Sequence, residues 1–149
     1  MIGIQTDEAV TNEVVMTALT HLREGEITEA IACFAEEFQF KDRGIGLEFN
    51  SPRRLAEFFE KSRELYPGSS LETDNVIVSG GRVITEWTLR TTLTEPFFGG
   101  LLRKVPIELH GASIVRTANG KITEWTDYYD GLASRRTSLA AHFEEWVEL

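Results

Sequence analysis

The chain has 149 residues, a formal net charge of −9, 42% hydrophobic and 26% charged residues. That is the size of one domain with one core, so the reading is a single domain over 1–149 with neither the apolar run of a membrane span nor the composition of a disordered chain. The acidic balance works against a nucleic-acid partner, because a phosphate backbone repels it.

From Thr6 to Glu24, apolar Val10, Val14, Val15, Ala18, Leu19 and Leu22 recur at three and four residues, which predicts a helix that Gly25 stops. Ile27 to Ala35 reads as a second, short helix, with Cys33 on its buried face. Phe38, Phe40 and Asp42 alternate as a brief extended segment before the Gly44 and Gly46 loop. Ser51-Pro52 opens a third helix, serine as cap and proline at the first helical position, and Pro67-Gly68 closes it.

The second half changes character. Leu71 to Ser79 and Arg82 to Leu93 are β-branched segments joined by Gly80-Gly81, and Val105 to Arg116 and Lys121 to Asp130 are joined through Ala118-Asn119-Gly120. Both junctions suit tight hairpins that need positive φ. Helices first and strands afterwards predict an α+β domain: a strongly bent antiparallel sheet covered on one face by three helices. Leu139, Phe143, Trp146 and Val147 predict a C-terminal helix over about 132–149. The N-terminus carries neither the basic nor the apolar region of a signal peptide, and the expected compartment is cytoplasmic.

Strand alternation sorts the chemistry-bearing residues. Trp125, Asp127 and Tyr129 share one face of the last strand, and Val83, Thr85, Trp87, Leu89 and Thr91 share one face of its neighbour. If both faces look inward, Asp127 sits among aromatics, and its desolvation raises its pKa toward that of a general acid or base. The alternative is an ion pair between Asp127 and Arg135 or Arg136. Asp42, between Lys41 and Arg43, is open to an ion pair with either neighbour, to solvent, or to a role across the pocket from Asp127 in which the two carboxylates divide acid and base work. Of the two, Asp127 is expected to be the more desolvated. The catalytic candidates are therefore Asp127 and Asp42, and the ligand-lining candidates are Phe40, Trp87, Leu89, Leu109, Ser113, Trp125 and Tyr129.

His21, His110 and His142 show no metal-ligand spacing, and there is no phosphate loop, dinucleotide fingerprint or nucleophile elbow, so neither a metal nor a cofactor is expected. The aromatic content favours a small apolar or aromatic molecule as partner. The apolar loop over 95–102 reads either as a lid or as a contact with a partner subunit. Ile84, His110, Ala112 and Ile114 on the outer strand face predict a homodimer.

Phe34-Ala35-Glu36-Glu37, Glu86-Trp87-Thr88-Leu89, Phe97-Phe98-Gly99 and the segment from Gly120 to Asp130 resemble the nuclear-transport-factor-two-like superfamily, within it the SnoaL-like polyketide cyclase and limonene-epoxide-hydrolase branches. The resemblance implies a cone: a curled sheet around a mostly apolar pocket, with helices on its concave face. It also implies that Asp42 stands where ketosteroid isomerases keep a proton-shuttling aspartate, with Ala18 and Ser113 in place of that family's oxyanion donors. Asp127 matches the water-activating aspartate of limonene epoxide hydrolases, whose arginine and second aspartate are here Trp87 and Leu89, and whose tyrosine and asparagine are Phe40 and Asp42. Neither set is complete. The function implied is cofactor-independent acid–base chemistry of isomerase, cyclase, dehydratase or hydrolase type, the alternative being a non-catalytic binding or assembly domain of the same fold.

Overall fold

In a computed structural model that describes residues 7–96 and 98–131, the helical spacing near the start of the chain forms α1 over Asp7–Glu24, with Val15, Ala18 and Leu19 buried. Gly25 ends it at φ 76°, and the Glu26 amide bonds back to the His21 carbonyl at 2.8 Å. That left-handed closure costs a residue with a Cβ more than it costs glycine.

The next segment corrects the sequence reading. Helix α2 spans only Ile27–Ile31, and Phe34 opens a strand, β1 (Phe34–Asp42), so Cys33 is buried in the connection instead of on a helix face. Phe34, Phe38 and Phe40 fit both a helical and an alternating pattern; pairing with the last strand decides between them. A further strand that the reading did not anticipate, β2 (Leu47–Phe49), folds back on β1 with Phe40 opposite Phe49. Helix α3 (Pro52–Leu65) begins where Ser51-Pro52 placed it, but the Ser51 hydroxyl makes no capping bond.

Strands β3 (Ser70–Ser79), β4 (Arg82–Pro96), β5 (Leu102–Ala118) and β6 (Lys121–Tyr129) follow as a meander. The sheet order is β2-β1-β6-β5-β4-β3, antiparallel throughout except for β1 against β6. Asn119 and Gly120, both at positive φ (52° and 73°), close the β5–β6 hairpin as that dipeptide predicts. Strands β4 and β5 pair further than expected, out to Pro96 opposite Leu102, and hold a short 3-10 turn (Phe98–Gly100) at their tip. Phe98, Leu101 and Leu102 there are 90%, 66% and 72% exposed, so these three side chains do not close over the concave face.

The core lies between that concave face and the helices. Phe34, Phe38, Phe40, Val83, Val115, Ile122 and Trp125 from the sheet pack against Val15, Ala18, Leu19 and Leu55 from α1 and α3. This is the α+β arrangement that the element order predicted. The expected C-terminal helix, with Arg135 and Arg136, lies outside the described residues.

Candidate functional site

Register brings the polar candidates together. Thr85, Ser113, Asp127 and Asp42 are successive partners on β4, β5, β6 and β1, so one polar row crosses the concave face. Beside it runs an apolar row of Val83, Val115, Trp125 and Phe40. On the other side Trp87, Gly111 and Tyr129 are partners, and a Cβ on Gly111 would come within 2.4 Å of the Trp87 ring. The missing side chain lets that indole lie across β5, with its ring centre 5.7 Å from that of Tyr129.

Asp127 is held from one side. The Ser113 hydroxyl donates to Oδ1 at 2.5 Å, and the Trp125 indole N–H donates to the same oxygen at 2.7 Å. Trp87 Nε1 in turn donates to Ser113 Oγ at 2.9 Å; because an indole only donates, the serine hydrogen is committed to Asp127. No described residue bonds Oδ2. Burial pushes the Asp127 carboxyl up to about 6, with the nearby Asp42 charge adding to the rise and the Ser113 and Trp125 bonds opposing it. The expectation that desolvation would tune this group toward neutrality agrees with that value. The alternative pairing with Arg135 or Arg136 falls outside the described residues.

Asp42 differs from its reading in three respects. It pairs with neither neighbour: Lys41 lies 3.7 Å from Glu124 and Arg43 lies 3.5 Å from Glu48. It is buried, because the loop after it turns back and delivers the Ile45 amide to Oδ1 at 3.0 Å. And it stands beside Asp127 on the adjacent strand, not across the pocket from it. The Tyr129 hydroxyl donates to Asp42 Oδ2 at 3.0 Å. Burial first, then the Asp42 charge, raises the pKa of that phenol above its ordinary value, so it serves as a fixed donor and not as an acid. Its ring occupies the space over Gly44, where a Cβ would lie 2.2 Å from it.

These groups line a cavity of about 360 Å³. All nine residues named from the sequence border it: Phe40, Asp42, Trp87, Leu89, Leu109, Ser113, Trp125, Asp127 and Tyr129. The helices add Leu19, Leu22 and Ile27 from α1 and α2 and Phe58, Phe59, Ser62 and Arg63 from α3, followed by Tyr66, and further sheet and loop residues such as Leu71, Leu93 and Ile107 complete the wall. The sequence marks Leu19, Leu22, Phe58 and Phe59 as apolar and inward-facing, but carries no signal that separates cavity wall from packed core. Ala18, at the position implied for an oxyanion donor, is buried in the core.

Among the described residues no group of three or more His, Cys, Asp or Glu side chains is placed to hold a metal ion, and no helix is long and apolar enough to cross a membrane. His110 lies on the convex side, 3.0 Å from Glu108.

A curled sheet, helices over its concave face and a cavity between them define a member of the nuclear-transport-factor-two-like superfamily. Within it, residues 13–137 match the family described as SnoaL-like polyketide cyclase, and the chain belongs to that family. Among solved structures, an NTF2-like protein from Burkholderia thailandensis is similar at 16% identity and TM-score 0.73, with 91% of this chain and 98% of that one covered. An LEH-like epoxide hydrolase of M. tuberculosis is similar at 17% identity and TM-score 0.71, covering 91% and 89%. TerC, co-crystallised with polyporic acid, is similar at 17% identity and TM-score 0.68, covering 86% and 97%. Identities this low speak for the fold alone. No curated protein matches the chain.

Proposed function

We propose that the cavity binds a small apolar or aromatic molecule and that Asp127, with Asp42 beside it, moves a proton on that molecule without a cofactor. One observation carries the reading: a carboxylate tied through one oxygen to Ser113 and Trp125, its pKa lifted to about 6, borders an apolar cavity. A group with that pKa is a competent base and, once protonated, a competent acid near neutral pH. Asp42, kept in place by Tyr129 and the Ile45 amide, contributes a second negative charge that favours the protonated form of Asp127. A non-catalytic domain whose interior is filled by its own aromatics is less well supported, because space remains beside both carboxylates.

The reaction class that suits these groups is removal and return of a proton at a carbon next to a carbonyl, the step shared by isomerisation and aldol cyclisation. Its direct test is hydrogen exchange. Incubating small aryl ketones in D2O with the protein and following the α-proton signals by NMR should show exchange faster than buffer, abolished by Asp127→Asn. A panel in which ligands bind but exchange no faster than in buffer would overturn the reading.

The same proposal includes a cytoplasmic homodimer. Ile77, Ile84 and Ile114 are partners across β3, β4 and β5 on the convex face, and Ile77 is half-exposed. Such a row is more apolar than a solvated sheet face. Sedimentation that finds only monomer at micromolar concentrations would refute the dimer.

A further inference from the structure

The mouth of the cavity carries a cation that the proton-transfer reading does not use. Arg63, in the last turn of α3, borders the cavity and is exposed, as are Ile45 and Tyr66 on the same rim. Its guanidinium is seated over the turn that ends α1: a Cβ on Gly25 would lie 2.5 Å from Cζ and Nη2 and 2.8 Å from Nη1. The glycine therefore opens the space that the planar group fills, and the partial negative charge at the end of α1 favours a cation there. No carboxylate lies within ion-pair distance of Arg63 among the described residues, although Glu24 and Glu26 flank Gly25. Glu26 is engaged by His21 at 3.2 Å. A guanidinium presents five donors in a fixed fork that matches a carboxylate.

The cavity is thus polarised. Its inner wall holds two carboxylates, Asp127 and Asp42, which repel an anion, and its rim holds a positive group that no carboxylate pairs among the described residues. We infer that the ligand is an apolar or aromatic carboxylate, oriented with its ring system inward toward Trp87 and Trp125 and its carboxylate at the mouth on Arg63. The inference rests on the cavity reading above and narrows it, since it names the end of the ligand that does not react. It also fixes direction: the carbon that meets Asp127 is the one farthest from the carboxylate. In a chain of net charge −9 this arginine offsets, at the point of entry, the repulsion that an anionic ligand meets from the protein as a whole.

A matched pair of ligands separates charge from shape. Calorimetric titration of the whole chain with 2-naphthylacetate and with its methyl ester should show the carboxylate binding about tenfold more tightly, the range of a charge-assisted bond at a partly solvated site. In Arg63→Gln the preference should vanish through weaker carboxylate binding, with ester affinity unchanged, which also shows that the cavity is intact. Equal or tighter ester binding by the native chain, or a preference that survives in Arg63→Gln, would overturn the assignment while leaving the cavity reading standing. Loss of both ligands in the variant would make Arg63 a structural part of the rim and overturn it as well. Binding of neither ligand to the native chain would remove the cavity reading together with this one.

Discussion

Asp127→Asn isolates what the buried charge does. An asparagine placed with its Oδ1 where the carboxylate Oδ1 stands still accepts from Ser113 and Trp125, so shape and both bonds are kept while the charge goes. The carboxyl titrates near 3.8 when unperturbed and near 6 in the fold. A rise of about two units corresponds to ~3 kcal/mol at ~1.4 kcal/mol per unit. Asp127 keeps some contact with the open cavity and solvent screens part of this, so about half of that is a safer expectation, or about 3 to 6 °C in Tm for a domain of this size. The folded pKa lies above the unfolded one, so the native chain has its full stability on this account below about pH 4, loses it between about pH 4 and pH 6, and is flat above pH 7. The variant does not titrate there. Melting both proteins by circular dichroism from pH 4 to pH 8 should therefore show coincident Tm values at the acid end and a gap in favour of Asp127→Asn that opens through pH 5 and saturates by pH 7. A variant that melts below the native chain at pH 7 would refute the reasoning, because it would mean that the ionised form is what the site is built to hold.

Three further outcomes follow from the same geometry. Ser113→Ala removes a bond that holds the Asp127 pKa down and leaves Trp87 Nε1 without its acceptor, so a carboxyl-carbon NMR titration should place Asp127 higher than in the native chain, and urea unfolding should show a loss of about 1 to 3 kcal/mol. Gly111→Ala drives a methyl into the Trp87 ring and should cost about 1 to 3 kcal/mol by the same measurement; a neutral result would show that the indole has another resting place. Limonene oxide should not be hydrolysed at an enzymic rate, since the resemblance to limonene epoxide hydrolases puts Trp87 and Leu89 where those enzymes carry a charged pair, and chiral gas chromatography of the diol checks it.

What the sequence made legible is what is encoded locally. Alternation alone put Trp125, Asp127 and Tyr129 on one wall and Trp87 and Leu89 on another, because a strand has no freedom in which face a residue takes once its neighbours are assigned. Asn119-Gly120 announced its hairpin for the same local reason. Features decided by distant partners were not legible. Phe34 begins a strand only because β6 lies alongside it, and β2, three residues long, is too short to carry a period. Lys41 and Arg43 flank Asp42 in sequence and suggested ion pairs, yet the groups that bond its carboxylate are the Ile45 amide and the Tyr129 hydroxyl, the latter 87 positions away. Arg63 reads as one more charge on an exposed helical face until Gly25 is found beneath it.

The single parallel pairing has a kinetic consequence. Strands β3 to β6 are joined hairpin to hairpin, so they close loops of modest length in succession, whereas β1 must find β6 across most of the chain at a larger entropic cost. On that ground the meander is expected to form first on refolding, as a nucleus that already contains Trp87, Ser113, Trp125 and Asp127. Phe40 and Asp42 arrive only when the N-terminal segment docks, and with them the second carboxylate. Recovery of ligand binding after dilution from denaturant should therefore lag the recovery of sheet signal.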